Sequence, residues 1–203
     1  LQERAKATRR SLLEAAAQLF AEQGYAATSV NDISARSGRT SGAVYFHYTG
    51  KEGIAVAVVE DRFATWSQLA ARYGDETVPP LERLVDLSYE IANALARDPV
   101  TRAGARLWAE RTVIKAPVPD PFELWTAATT RLLAQARLAG HVNERVRPAR
   151  AARTLVRAFF GLCTLTEALE GTTVLDDRLT DWWHLTLPSL QPQPSRGNLP
   201  AGR

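Results

Sequence analysis

Cysteine, histidine and long apolar runs are all scarce in this chain, and each scarcity closes off a class of function. One cysteine in 203 residues excludes an intramolecular disulfide framework. Cys163 stands in the apolar stretch Ala158 to Leu165 and reads as a buried thiol of a reducing compartment. The three histidines, His47, His141 and His184, are far apart in sequence, and no HExxH, nucleophile elbow or glycine-rich phosphate loop accompanies them. The paired carboxylates Asp176 and Asp177 fall near a helix start, where they favour the positive end of the helix without any catalytic role. Catalytic residues, metal ligands and cofactors are accordingly expected to be none. Arg157 and Glu167 bracket the most apolar segment, short of the roughly 18 residues that a membrane span needs. The opening LQERAKATRRSLLEAAA is charged and amphipathic, without the apolar core of an export signal. The expected setting is cytoplasmic, with no membrane partner.

What is present is an ordinary globular composition, 45% apolar and 23% charged, enough for a core without staples. The charge is unevenly spread. Residues 1–51 carry seven basic groups, Arg4, Lys6, Arg9, Arg10, Arg36, Arg39 and Lys51, against four acidic ones, Glu3, Glu14, Glu22 and Asp32. The remaining residues are balanced, so the net +3 of the chain resides in its first quarter, the footprint expected for a polyanionic partner.

Periodicity predicts helices nearly throughout and no strand. From Lys6 to Gln23, Leu13, Ala16, Ala17 and Phe20 fall on one face, and Gly24 supplies a left-handed stop. Thr28 or Ser29 then caps a short helix through Arg36 that turns Val30 and Ile33 inward, and Gly38 ends it. Thr40 caps a third, two-turn helix reaching about Tyr48, with Val44 and Tyr48 on its inner stripe. Longer helices are expected over Lys51–Arg72, Leu81–Arg97, Pro99–Thr112, Pro121–Ala139, Pro148–Gly171 and Leu175–Leu190, with proline- and glycine-bearing joints such as GDETVPP between them. The end of the chain, QPQPSRGNLPAGR, is rich in proline and glycine and is expected to be disordered.

Three helices, the last two joined by about four residues that include a glycine, form a helix-turn-helix. This explains the composition of GRTSGAVYFHYTGKEG. Its helix anchors one side through Val44 and Tyr48 and must offer the other to a phosphate-lined groove. Thr28, Thr40, Ser41, Tyr45, His47 and Lys51 bring suitable donors for phosphate oxygens, and Gly42 permits close approach of the backbone.

The stretch AAAQLFAEQGYAATSVNDISARSGRTSGAVYFHYTGKEGI resembles the DNA-binding domain of TetR-type transcriptional repressors. Further on, VTRAGARLWAER and PDPFELWTAATTRLLAQARLAG resemble the regulatory domain of the γ-butyrolactone-receptor branch, whose signals are γ-butyrolactones, butenolides or furans. The resemblance implies an all-α protein with a helix-turn-helix domain over 1–51, a ligand-binding and dimerisation domain over 52–190, and a tail over 191–203. It implies a homodimer that binds a double-stranded, pseudo-palindromic DNA operator and is released by a small signalling molecule, controlling secondary-metabolite genes. Release by an antibiotic or a biosynthetic intermediate is the alternative. DNA contacts carried over by the motif fall on Thr28, Thr40, Ser41, Gly42, Tyr45, His47 and Lys51. Arg39 stands where the family usually has an aliphatic residue and Ser41 where it usually has a basic one, so Arg39 is expected to take up the displaced charge on a phosphate or a guanine edge. Trp125 is the residue most characteristic of the ligand pocket. Phe63, Trp66, Trp108 and Phe122 are candidate walls, with Arg62, Thr129 and Thr164 as polar partners. The apolar segment LVRAFFGLCTLTEAL and Trp182 or Trp183 are expected at the dimer surface.

Overall fold

The computed structural model describes residues 2–72 and 77–192, side chains included except at 62–72 and 121. Among the described residues the regular elements are all helical: α1 (Gln2–Ala27), α2 (Val30–Ser37), α3 (Ser41–Tyr48), α4 (Lys51–Arg72), α5 (Pro80–Arg97), α6 (Pro99–Ala109), α7 (Pro121–Leu138), α8 (Pro148–Leu169) and α9 (Leu175–Leu190), with single 3-10 turns at Arg111–Val113 and Thr172–Val174. The all-α expectation holds. Most boundaries fall within a residue or two of those read from caps, glycines and prolines. The largest difference is α1, which runs from Gln2 to Ala27 and so extends four residues beyond each expected end, past Gly24; α6 ends at Ala109 and passes into a 3-10 turn. The tail expected from 191 lies, from 193 on, outside the described residues.

The chain divides into two compact units, Leu1–Arg72 with Asn93–Pro121, and Tyr73–Ala92 with Phe122–Arg203. The helix-turn-helix segment shares its unit with α4 and α6. Its core joins Leu12, Leu13, Ala16 and Phe20 of α1, Ile33 of α2 and Val44 of α3 to Ile54, Ala55, Val58 and Val59 of α4 and to Ala103 and Leu107 of α6. The two-turn helices α2 and α3 cannot by themselves cover the apolar stripe of α1, and α4 and α6 complete the burial.

In the second unit, Leu81, Leu84, Leu87 and Ile91 of α5 form one inward stripe; Leu132, Leu133 and Ala136 of α7, Leu155, Val156 and Phe159 of α8, and Leu179 and Trp183 of α9 supply the rest of the core. The Trp183 indole N–H donates to the Ser88 hydroxyl at 2.8 Å, and that hydroxyl donates to the Val85 carbonyl at 2.6 Å, so the buried polar tips are satisfied. The buried Arg83 donates to the Gln135 side-chain oxygen at 3.2 Å. α8 and α9 form an antiparallel hairpin. Its open end is tied where the Asn143 N–H, just ahead of α8, donates to the Leu190 carbonyl at 2.8 Å.

Candidate nucleic-acid interface and aromatic core

Short-range capping places the two helices of the turn. Ser29 is the N-cap of α2: its hydroxyl accepts from the Asp32 N–H at 3.1 Å, and the Asp32 carboxylate accepts from the Ser29 N–H at 2.8 Å and its hydroxyl at 2.7 Å. Those bonds from Ser29 hold the Asp32 carboxyl below its ordinary range. Gly38 ends α2 and Thr40 caps α3 by accepting from the Ala43 N–H. Val44 and Tyr48 are buried as expected, and the Tyr48 hydroxyl donates to the Arg9 carbonyl at 2.7 Å, pinning α3 to the first turns of α1. Burial raises the Tyr48 phenol above its usual value.

The residues expected to contact DNA differ in exposure. Arg39, Thr40 and Gly42 are exposed, and the Tyr45 side chain is 59% and the Phe46 ring 82% exposed. His47 is half-buried, edge-on to Phe46 with ring centroids 5.0 Å apart. Three residues expected to contact DNA have partners within the unit. Thr28 is 1% exposed, and its hydroxyl donates to the Gly24 carbonyl at 2.7 Å and accepts from Gln23 at 3.3 Å. The Ser41 hydroxyl donates to Asn31 at 3.0 Å and accepts from Ser34 at 3.1 Å, locking α3 to α2 with its single proton spent. The Lys51 ammonium donates to the carbonyls of Tyr25 at 2.9 Å and Thr28 at 2.8 Å and sits 4.1 Å from the centre of the Tyr25 ring. It satisfies carbonyls at the end of α1.

The same accounting applies to the basic excess. Arg36 pairs with Glu22 across α1 and α2, and Arg10 pairs with Glu14. Arg39, beside the recognition helix, has no carboxylate partner among the described residues. Phe46 is the residue that a search for donors passes over. Its signal was present, because two residues beyond Val44 on a helix points to the opposite side.

The end of α1 is held from α6. Gly24 interrupts α1 with φ 84° and ψ 175°, a conformation reserved in practice for glycine. Beyond this break the Tyr25 N–H donates to the Glu110 carboxylate at 2.6 Å. Arg106, one helical turn earlier, donates to the carbonyls of Ala21 at 3.0 Å and Glu22 at 3.3 Å and pairs with Glu110 at 3.0 Å. One ion pair thus caps both the donor and the acceptors that the break exposes. A Cβ on residue 24 would lie 2.7 Å from Glu110 Oε1, so the clamp fits only glycine.

In the second unit, Phe122 and Trp125 of α7 enter an aromatic cluster that the sequence did not reveal. Phe122 meets Phe160 edge-on at 4.5 Å, Trp125 lies 5.2 Å from Phe160 and 5.8 Å from Phe159, and Phe159 continues to Trp182 and thence to Trp183. Phe159 and Phe160 belong to the apolar segment expected to face its own domain on one side and a partner on another, and Phe159 lies on the side buried inside the unit. Thr129 is buried on the inward side of α7. Thr164 is not beside it: it is exposed on the outward face of α8, and Thr166 is the buried hydroxyl of that helix. Residues two apart on a helix face nearly opposite ways, so the two hydroxyls lie on different sides of α8. Trp108 belongs to the first unit, half-buried, with the Arg111 guanidinium 3.9 Å over its ring. The side chains of Arg62, Phe63 and Trp66 lie outside the described residues.

Residues 12–58 match the family model of bacterial regulatory proteins of the tetR family, and residues 78–192 match that of the tetracyclin repressor-like C-terminal domain. The chain is 33% identical over 189 residues to the A-factor receptor protein of Streptomyces griseus, covering 93% of this chain and 66% of that protein. A structure solved for the molecular basis for control of antibiotic production by bacterial hormones is similar with a TM-score of 0.84 and 39% identity, over 91% of this chain and 98% of that one. A gamma-butyrolactone receptor, an ArpA-like protein, is similar with a TM-score of 0.77 and 31% identity, over 93% and 90% of the two chains.

Proposed function

Because the chain belongs to the TetR family of bacterial regulatory proteins, we propose that it is a repressor that binds a pseudo-palindromic DNA operator as a homodimer and is released by a small signal of the γ-butyrolactone, butenolide or furan type. The observation that carries this reading is α3. Its inner stripe is locked to α1 and α2, while Gly42, Tyr45 and Phe46, with Arg39 and Thr40 just ahead, form an exposed face that the fold does not use. Arg39 and the Tyr45 hydroxyl suit phosphate or base-edge acceptors; Phe46, with no donor, suits the 5-methyl group of a thymine. One such helix is too small a footprint for selective binding, so two half-sites about 34–36 Å apart, or a multiple of that, are required. The exposed Leu165 and Leu169 of α8 and Leu185 of α9 support dimerisation through that hairpin, as apolar surface does when a second copy covers it.

The names of the similar proteins, an A-factor receptor and a gamma-butyrolactone receptor, support the class of signal and a role in antibiotic production. The aromatic cluster around Trp125 offers apolar walls of the required kind, with Thr129 as a polar neighbour. Burying roughly 300 Å² of a short acyl chain contributes on the order of 7 kcal/mol before association costs. Moving a two-state repressor from 1:99 to 99:1 needs about 5.5 kcal/mol of differential binding. A small apolar signal with one or two hydrogen bonds is therefore sufficient. The test is fluorescence anisotropy on an operator selected from a random duplex library, titrated with synthetic γ-butyrolactones, butenolides and furan carboxylic acids. Release by one of these classes, abolished in Trp125→Ala with operator affinity and melting temperature retained, is the expected result. No selectable operator, or a Trp125→Ala protein that still responds fully, defeats the reading.

A further inference from the structure

We infer that Arg39 is the base-reading residue of the operator interface and that its guanidinium takes a guanine, once in each half-site. The inference rests on the repressor reading above and names a base that such an operator must present. Its basis is what folding leaves available at the N-terminal end of α3, the end at which a recognition helix meets base edges. Arg39, Thr40, Ser41 and Gly42 stand there. Gly42 has no side chain. The Ser41 hydroxyl gives its single proton to Asn31 and accepts from Ser34. The Thr40 hydroxyl accepts from the Ala43 N–H as the N-cap of α3, which leaves it one proton to donate. A single proton is accepted alike by N7 or O6 of guanine, N7 of adenine and O4 of thymine, so it does not tell these bases apart. The Arg39 side chain is exposed, and among the described residues it has neither a carboxylate nor a hydrogen-bond partner. All of its donors are therefore available.

The other cations of this stretch are engaged within the unit. From Thr28 to Gly53 the lysines and arginines are Arg36, Arg39 and Lys51. Arg36 sets its fork on Glu22 at 3.1 and 3.0 Å, and Lys51 serves the carbonyls of Tyr25 and Thr28. Arg39 is held only by its backbone, whose N–H donates to the Ser34 carbonyl at 3.1 Å, so the guanidinium springs from a fixed point just ahead of the α3 cap. Three residues on, Gly42 keeps the surface low, since the nearest foreign atom to a Cβ there is Thr40 Oγ1 at 3.8 Å. The start of α3 can thus sink towards the groove floor and carry Arg39 with it. The planar fork of an arginine matches two acceptors side by side, and in the major groove guanine, through N7 and O6, is the base that offers them. A phosphate would also accept the fork, but the start of α3 would then hold no group able to choose a sequence. The twofold symmetry of a dimer repeats the contact in the second half-site.

The experiment selects duplexes from a random library with the full chain and measures anisotropy on the selected operator and its variants. Wild type is expected to select a guanine at one fixed position of each half-site. Arg39→Ala is expected to lose about five- to hundredfold of the preference at that position, while its affinity for unrelated duplex and the slope of its binding against salt stay as in wild type. Replacing the selected guanine by 7-deazaguanine, in which a C–H stands in place of N7, should weaken wild type by at least about fivefold and leave Arg39→Ala unaffected. Uniform weakening of Arg39→Ala over all sequences, with the salt slope reduced by about one, puts Arg39 on a phosphate and overturns the inference. Wild-type protein that is indifferent to 7-deazaguanine at every selected guanine overturns it as well. Should circular dichroism show that Arg39→Ala fails to fold, Arg39→Gln, which keeps part of the stem and removes the charged fork, is put through the same measurements with the same loss of guanine preference expected. The absence of any selectable operator defeats the repressor reading itself, an outcome distinct from an operator that is selected without a guanine dependent on Arg39.

Discussion

Gly53→Ala should damage the protein although glycine to alanine inside a helix ordinarily stabilises by about 0.5–1 kcal/mol. Gly53 lies in the first turn of α4, where a Cβ would sit 1.7 Å from the Tyr48 carbonyl oxygen and 2.8 Å from Thr49 Oγ1. The carbonyl is backbone at the end of α3 and has no rotamer to escape into. Restoring ordinary contact requires the ends of α3 and α4 to part by about 1.5 Å, in an interior packed to near-crystalline density. Overpacking of that kind costs about 1–3 kcal/mol and sometimes more, which outweighs the helix-propensity gain. The melting temperature should fall by roughly 2–4 °C for each kcal/mol lost, and operator affinity should fall with it, because Val44 and Tyr48 hold α3 through the same junction. Gly42→Ala is the paired control. The nearest foreign atom to a Cβ there is Thr40 Oγ1 at 3.8 Å, so the fold should be unharmed or slightly stabilised. A loss of operator affinity at Gly42 then reports close approach of DNA to the α3 backbone. The assays are thermal denaturation and operator anisotropy on both variants. A Gly53→Ala protein as stable as wild type, with normal operator binding, refutes the reasoning.

Three further outcomes are expected. Lys51→Met keeps the aliphatic stem but strips the donor from the Tyr25 and Thr28 carbonyls; it should cost about 1–3 kcal/mol of stability and leave the salt dependence of operator binding unchanged, whereas a slope reduced by about one would return Lys51 to a phosphate. Glu110→Gln removes the charge that accepts from the Tyr25 N–H and pairs with Arg106; a double-mutant cycle with Arg106→Ala should give a coupling on the order of 1 kcal/mol in thermal or urea unfolding, and strict additivity would show that the two do not act as one clamp. Burial pushes the Cys163 thiol up to about 12, against about 8.5 for a free cysteine, so iodoacetamide labelling followed by mass spectrometry at pH 8 should be far slower in folded than in urea-unfolded protein. The sign follows from the raised value: the contribution to stability is present below the ordinary thiol pKa and is lost as pH rises towards 12. Equal labelling rates would contradict the burial.

The helices and their ends were legible in the sequence because the signals that set them are local. Capping by Ser29 and Thr40 and the prolines that open α6, α7 and α8 act within one turn of the residues that carry them, whereas Gly24, expected as a left-handed stop, breaks α1 without ending it. The inward stripe of α3 was legible for the same reason, since Val44 and Tyr48 share a face by spacing alone. What tertiary structure decided is which polar and aromatic groups remain free. Lys51 finds its acceptors 23 and 26 residues away, and Ser41 finds Asn31 on the preceding helix. Glu110 reaches an N–H 85 residues distant, and Phe159 and Phe160 meet Trp125 only because α7 and α8 pack. A donor's chemistry is written in its residue type, but its availability depends on partners brought close by folding. Buried groups must satisfy one another before any is left to meet DNA or a ligand, which is why the sequence named the recognition helix and only the folded chain selected its exposed face.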